Sequence, residues 1–260
     1  MRRMRILSFL MIVFMVTTLL CACSDNKKDI NEITSPSNSV SEHSEDSIPK
    51  TITSKNDLET VFTKLFPNVN YSVQEGSTTF KYTINKEDLP NNHFDYNIKL
   101  NGSSDFKLQT PLKDLENKGY KLTDPDVKNR TLLPEYQTGG NIVSTSNESN
   151  EIECTIYNNT DKEILAKDGV LSQVTFRTDN ATTDYFTICD GITNNSTFDA
   201  VLNRLGVPNS IILTINQTEN GEYISSRIMI DYERWEPFQQ IRVELSGDEN
   251  RVLYLLYESN

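Results

Sequence analysis

Two stretches of the chain place hydrophobic residues at helical spacing. Each has four apolar residues at positions i, i+3, i+4 and i+7: Leu58, Val61, Phe62 and Leu65 in the first, and Phe198, Val201, Leu202 and Leu205 in the second. Ser54 precedes the first with Asp57 three residues later, and Ser196 and Asp199 stand in the same relation to the second. The pattern predicts two amphipathic helices of similar design, the second ended by Gly206. Their endings, KLFPN and RLGVPN, are also alike, which fits an internal repeat and fits chance equally well.

Alternating apolar and polar residues predict strands in the last part of the chain. The strands predicted by alternation are Ile228-Ile230-Tyr232 and Ile241-Val243-Leu245. The apolar run at 252–257 predicts a third strand, after a turn at 247–250. Arg242 and Glu244 alternate with apolar residues, so we expect a sheet with one wet face and one face covered by the helix at 197–205. The predicted fold class is α+β: antiparallel sheets with a few short amphipathic helices packed on one face.

The middle of the chain carries shorter strand and turn signals. Strands are predicted at 151–157, 170–177 and 185–189, a hairpin at Asn101-Gly102 between Tyr96-Ile98-Leu100 and Phe106-Leu108, and a short helix from Pro111 to Gly119 capped by Thr110. The segment at 138–150, rich in Gly, Ser and Asn, predicts a mobile loop, with Gly139-Gly140 as a turn.

The N-terminus has the layout of an export signal. Met-Arg-Arg-Met-Arg is followed by residues 6–20 without a charge, and this apolar run is shorter than the roughly 20 residues of a spanning helix. Leu20-Cys21-Ala22-Cys23 then resembles the lipobox of bacterial lipoproteins, with a small residue directly before the modified cysteine. The resemblance implies that Cys23 becomes the N-terminus and carries a diacylglyceryl group with fatty acyl chains such as palmitate, which would anchor the protein stably. The alternative is an ordinary signal cut after Ala22.

Composition divides the chain into four parts. We assign 1–22 to a lipoprotein signal peptide, 23–50 to a disordered tether, 51–190 to an α+β region and 191–260 to a module of one helix and an antiparallel sheet. The tether assignment rests on residues 24–50, which contain seven serines and no glycine or aromatic residue.

Charge restricts the class of partner. The formal net charge of −12 becomes about −15 when residues 1–22 and their three arginines are removed. A nucleic-acid partner is therefore excluded, because phosphates need a cationic surface. The lipid anchor remains as the expected membrane contact.

Two cysteines remain in the body. Cys154 and Cys189 both fall in predicted strands. Outside the cytoplasm they could form a disulfide or remain two buried thiols, and their spacing does not decide between these states.

Motifs for nucleophilic, metal or nucleotide chemistry are absent from the sequence. There is no Gly-x-Ser-x-Gly, no His-Glu-x-x-His and no Walker loop, and the body has a single histidine, His93, in a predicted loop. No cofactor and no metal site is predicted.

Carboxylates are the remaining candidates for chemistry. Glu233 and Glu236 flank Trp235, which suits a sugar site but also a strand end where the tryptophan packs on the sheet margin. Asp124 and Asp126, and the segment 178–184, offer oxygens for calcium but lack the spacing of an EF-hand loop, so solvated turns are expected.

Two further resemblances concern the body. The segment GITNNSTFDAVLNRLGVPNSI, Gly191 to Ile211, followed by strands, is similar to a unit of outer-membrane-assembly lipoproteins and β-lactamase-inhibitor-like proteins, which use it for protein binding. The lipobox, the tether and the segment TPLKDLENKGY also resemble lipoproteins of unknown function from low-GC Gram-positive bacteria. These features imply a non-enzymatic binding or assembly module on the extracytoplasmic face of the cell membrane, with another envelope protein or a cell-wall polymer as its partner. The alternatives are an envelope hydrolase or carbohydrate-active enzyme, and an inhibitor of a secreted enzyme.

Overall fold

A long antiparallel sheet organises the computed structural model, which describes residues 48–91, 93–100, 103–178, 186–189 and 191–259, with 147–150 described by their backbone alone. Residues 1–47 lie outside the described part of the chain. They include Cys21, Cys23, the predicted signal peptide and most of the predicted tether. Asn101, Gly102 and 179–185 also lie outside it. Within the described residues the fold is mostly antiparallel sheet with a few short helices.

The helices and strands are numbered in chain order. The helices are α1 (Lys55–Leu65), α2 (Leu112–Asn117), α3 (Pro125–Lys128) and α4 (Phe198–Leu205). The strands are β1 (Tyr71–Glu75), β2 (Thr79–Ile84), β3 (Ile98–Leu100), β4 (Tyr120–Leu122), β5 (Thr131–Leu132), β6 (Gln137–Ser144), β7 (Asn147–Tyr157), β8 (Ile164–Leu165), β9 (Val170–Arg177), β10 (Phe186–Ile188), β11 (Ser210–Gln217), β12 (Tyr223–Trp235), β13 (Phe238–Ser246) and β14 (Arg251–Ser259). In the described residues ten strands form the large sheet in the order β1-β2-β11-β12-β13-β14-β9-β7-β6-β4, while β3 pairs with β10 and β5 with β8.

The three strands predicted near the C-terminus are confirmed as β12, β13 and β14. Their register aligns buried side chains across the sheet, as in the row Ile211, Ile230, Val243, Leu255 and Phe176. The residues between them in sequence point the other way, which is the period of two that the pattern predicted. This row and the buried residues of α1 and α4 belong to one apolar cluster, and the two helices contact each other.

Both predicted amphipathic helices are present. The first, α1, has Ser54 as its N-cap, whose hydroxyl accepts a hydrogen bond from Asp57 N at 3.2 Å. The second, α4, begins one residue later than predicted, with Thr197 as its N-cap. Ser196 is not the cap, because its hydroxyl accepts from Thr193 N at 2.9 Å in the preceding turn.

The predicted mobile loop at 138–150 is wrong, since β6 and β7 form a hairpin over this segment. Gly139-Gly140 is likewise not a turn but the middle of β6. A Cβ on Gly140 would lie 3.3 Å from both Leu122 Cδ2 and Val127 Cγ1, so the missing side chain lets β4 and α3 approach the strand. Pairing with neighbouring strands overrides the low strand propensity of Gly, Asn and Ser.

The predicted hairpin at Asn101-Gly102 is confirmed only at one pair of residues. Ile98 and Phe106 exchange backbone hydrogen bonds of 2.7 and 2.9 Å as an isolated bridge, and Phe106-Leu108 forms no strand. The ladder partner of β3 is instead β10, far along the chain. Phe186 and Ile188 of β10 are fully buried, so burial in the core selects this distant partner.

Candidate functional site

The side chains of the large sheet that point away from the core form a mixed apolar and charged surface, which we call the open face. Register places Ile212, Met229, Glu244, Tyr254 and Arg177 in one row across five adjacent strands. The apolar members of this row are half-buried, not sealed in the core. A half-exposed apolar stripe on a sheet provides contact area for a partner.

A second row of the open face runs beside the first. Asp231, Arg242, Leu256, Thr175 and Glu153 are successive register partners along β12, β13, β14, β9 and β7. Leu256 is half-buried like the apolar residues of the first row. The two rows together combine apolar and charged side chains over the middle of the sheet.

Charges on the open face are held in ion pairs between neighbouring strands. Their nitrogen to oxygen distances are 2.6 Å for Arg242 Nε to Asp231 Oδ1, 2.8 Å for Arg227 to Glu244 Oε1, and 3.0 Å for Arg177 Nε to Glu153 Oε1. The pairing restricts the positions of these side chains before any partner arrives, which lowers the entropy lost on binding.

An aromatic ring also restricts one of the paired arginines. The Arg177 guanidinium lies 5.6 Å from the centre of the Tyr254 ring, within the range of a cation–π interaction. Alternation along β12 is the signal that assigns Met229 to this face, as alternation along β13 assigned Arg242 and Glu244. Leu256 is assigned by its register partner Arg242. The cross-strand pairs needed the register, which the sequence does not contain.

The two carboxylates beside the tryptophan have different surroundings. Glu233 lies on the open face, where Gln240 Nε2 approaches its Oε1 at 3.5 Å, while Glu236 is exposed in the turn after β12. Trp235 does lie at a strand end, but it is 70 % exposed, and its ring contacts Phe238 at 5.3 Å between centroids. The expected strand-end position is therefore confirmed, and the ring packs there on its register partner Phe238 while most of its surface stays exposed.

Of the other candidates for catalysis or metal binding, His93, Asp124 and Asp126 lie at the surface or in a helix cap. His93 is exposed in the irregular segment before β3. Asp124 caps α3 by accepting from Asp126 N at 2.9 Å, and most of 178–184 lies outside the described residues. Over the part of the chain that the structure describes, no group of three or more His, Cys, Asp or Glu residues is placed to hold a metal ion.

The two body cysteines are buried and are not bonded to each other. Cys154 lies on β7 facing the core, and burial raises the pKa of its thiol to about 12. A thiol with so high a pKa is almost wholly protonated at neutral pH and is a poor nucleophile. Cys189 follows β10 with a φ of 55°, and its carbonyl accepts from Arg204 Nε at 2.5 Å.

Comparison of the chain with protein-family models, with curated proteins and with solved structures finds no match. Among the helices of the described residues, none has the length and apolar character needed to cross a membrane.

Proposed function

We propose that this protein is an extracytoplasmic lipoprotein anchored to the cell membrane through Cys23, and that its body is a non-enzymatic module whose open face binds another envelope protein. The proposal includes an α+β layering, with α1 and α4 on the core side of the sheet and the open face turned to the partner. Cell-wall polymer is the second class of partner.

The open face is the observation that carries the proposal. It combines half-buried apolar side chains with fixed cross-strand ion pairs, and protein interfaces also combine an apolar centre with oriented polar groups. The buried, protonated thiol of Cys154 is not available as a nucleophile, which supports a binding role over thiol catalysis.

Site-specific photo-cross-linking on intact cells tests the open face. A photoreactive amino acid replacing Met229 lies in the middle of the face, and one replacing the exposed Lys162 lies outside it. We expect a discrete cross-linked protein from position 229 and none from position 162. Equal products from both positions, or none from either, would contradict a protein-binding open face, and a product sensitive to muramidase would identify cell-wall polymer instead.

Fractionation of cells tests the anchor separately. Cys23→Ala is expected to release the protein into the medium or leave it unprocessed in the membrane, because the acyl chains have no attachment atom. Cys21→Ala is the matched control and is expected to change little. Equal loss of anchoring in both variants would rule out the assignment of Cys23.

A further inference from the structure

A cavity of about 380 Å³ opens beside β4, the edge strand of the large sheet at the end opposite β1. Its lining comes from α2, β4, α3, β6 and the turn after β8. This volume lies within the roughly 300–1,000 Å³ typical of small-molecule sites.

The inner part of this cavity is apolar. Leu112, Leu115, Leu122 and Ile142 are buried members of the core that also line the cavity. The hydroxyl of Tyr120 is engaged elsewhere, donating to Ser104 O at 2.9 Å and accepting from Leu100 N at 3.2 Å. The tyrosine therefore contributes its ring to the lining, and the floor suits a hydrocarbon group.

The rim of the cavity is basic. It carries four lysines and two carboxylates in a chain whose formal net charge is −12. Lys128 Nζ lies 2.5 Å from Glu116 Oε1, so these two charges neutralise each other. The other charged residues of the rim are Asp168, Lys113, Lys121 and Lys167.

Those three lysines reach the cavity from three separate segments. Lys113 is on α2, Lys121 is on β4 and Lys167 is in the 3₁₀ turn Ala166–Asp168. Within the described ranges neither Lys113 nor Lys167 has an ion-pair partner. Lysine binds phosphate as a point charge, and several lysines around one space suit an anion with more than one charge.

We propose that this cavity binds a small amphipathic phosphate monoester or diester, with its hydrocarbon part on the leucine-lined floor and its phosphate at the lysine rim. The phosphate group can come from a soluble metabolite or from a phospholipid headgroup, and both present the same chemistry to the rim. The site is independent of the open face, so failure of one proposal leaves the other standing.

Calorimetric titration of hexyl phosphate into the full chain at low ionic strength tests the site. We expect saturable binding with one site per chain, while hexanol and inorganic phosphate each bind at least about tenfold more weakly, because each carries half of the recognised chemistry. No saturable binding, or hexanol binding as tightly as hexyl phosphate, would overturn the proposal.

Charge-matched variants locate the site. Lys113→Gln with Lys167→Gln is expected to weaken hexyl phosphate binding about twenty-fivefold, since each exposed charge contact contributes about fivefold. Lys81→Gln with Lys86→Gln removes the same charge at the β1 and β2 end of the sheet and is expected to leave binding within about twofold. Equal weakening in both pairs would show general charge attraction and overturn the site, with unchanged thermal midpoints confirming that all variants fold.

Titration of two further ligands distinguishes a phospholipid headgroup from a soluble metabolite as the natural phosphate ligand. Dihexanoyl phosphatidylglycerol below its micelle concentration and phenyl phosphate are titrated in the same way. Tighter binding of the first assigns a lipid headgroup, and tighter binding of the second assigns a soluble metabolite. Each ligand is also titrated into the protein already loaded with hexyl phosphate. If neither ligand displaces hexyl phosphate, the proposed class of ligand is overturned.

Discussion

The two amphipathic helices share a sequence pattern but complete their N-termini in different ways. In α1 the cap is local: Ser54 Oγ accepts from Asp57 N, and Asp57 Oδ2 accepts from Thr53 N at 3.1 Å. In α4 the hydroxyl of Thr197 donates to Asp199 at 2.6 Å and caps no backbone N–H. The first N–H of α4 instead donates to a side chain that lies 52 residues further along the chain, Asn250 Oδ1, at 2.8 Å.

The turn between β13 and β14 supplies this remote cap and holds the start of the folded body as well. Asn250 Nδ2 donates to Lys50 O at 3.1 Å, and Ile52 N donates to Gly247 O at 2.9 Å. Ser226 Oγ donates to Ile52 O at 2.6 Å. One turn thus satisfies backbone groups of a helix and of the segment before α1. A sequence pattern can therefore predict a helix correctly although the residue that caps its N-terminus is distant in the sequence.

The largest expected effect is at the centre of this turn. In Gly247→Ala the new Cβ would overlap Ser226 Oγ and the carbonyl oxygen of Ile52, so we expect the free energy of unfolding to fall by about 3 kcal/mol. Gly139→Ala is the control, because its Cβ would meet only Cys154 O at 4.0 Å. Urea unfolding of the control should change by less than about 1 kcal/mol. Equal costs for the two variants would show that the turn is not tightly packed.

Removal of the remote cap is expected to cost nearly as much. Asn250→Ala loses both hydrogen bonds of a buried amide and places alanine at a φ of 47°, so the free energy of unfolding should fall by about 2–3 kcal/mol. Asn250→Asp keeps an oxygen acceptor for Phe198 N and should cost about 1 kcal/mol. Chemical denaturation measures the free energy of unfolding of both variants. Equal losses would show that the hydrogen bond from Phe198 N to Asn250 does not stabilise the protein.

Tyr120 provides another long-range link of this kind, with a dependence on pH. Loss of its hydroxyl in Tyr120→Phe leaves Leu100 N without its partner and should lower the free energy of unfolding by about 1–2 kcal/mol near neutral pH. Burial raises the pKa of Tyr120 from 10.0 to about 12 in the folded state. The folded state therefore holds this proton longer than the unfolded state, and stability falls as pH rises through that interval.

Denaturation at several pH values checks that linkage. Between about pH 10 and about pH 12 the decline in stability should be shallower in Tyr120→Phe than in the unaltered protein, since the variant lacks one of the groups that titrate. Equal slopes would show that Tyr120 ionises alike in the folded and unfolded chains.

The smallest effect is expected at the local cap of α1. Ser54→Ala removes the acceptor for Asp57 N and should lower the free energy of unfolding by about 1 kcal/mol. Thr197→Ala, at the matching position of α4, should cost less than about 0.5 kcal/mol, because that hydroxyl caps no helix N–H. A larger loss in Thr197→Ala than in Ser54→Ala would reverse the comparison between the two helices.

Local patterns in the sequence predicted the elements that carry their own signal. The period of α1 and α4 and the alternation in β12 and β13 come from burial of one face, and the apolar run of β14 also marks a strand, so each element shows its pattern without reference to a partner. The same alternation placed Arg242 and Glu244 on the open face. The segment at 138–150 failed because its strands are formed by pairing with β4 and β9, not by their own propensity.

The candidate sites were less accessible to sequence reasoning than the elements. The ion pairs of the open face join β7 to β9 and β12 to β13, and the lysines of the cavity come from three segments between 113 and 167. No local spacing relates these residues, because they become neighbours only through strand order. The degree of exposure of Trp235 was not predictable for the same reason, since exposure of a strand end depends on what the rest of the fold leaves uncovered.

The sequence by itself determined the type of most elements, the acidic net charge and the N-terminal pattern that motivates the Cys23 anchor. The tertiary structure alone decided which strands are neighbours, that Asn250 caps α4, and that three lysines surround one apolar cavity. The physical reason is range. Hydrophobic periodicity and local capping act over a few residues, whereas hydrogen bonds and charges between distant segments exist only after burial has fixed the register of the sheet.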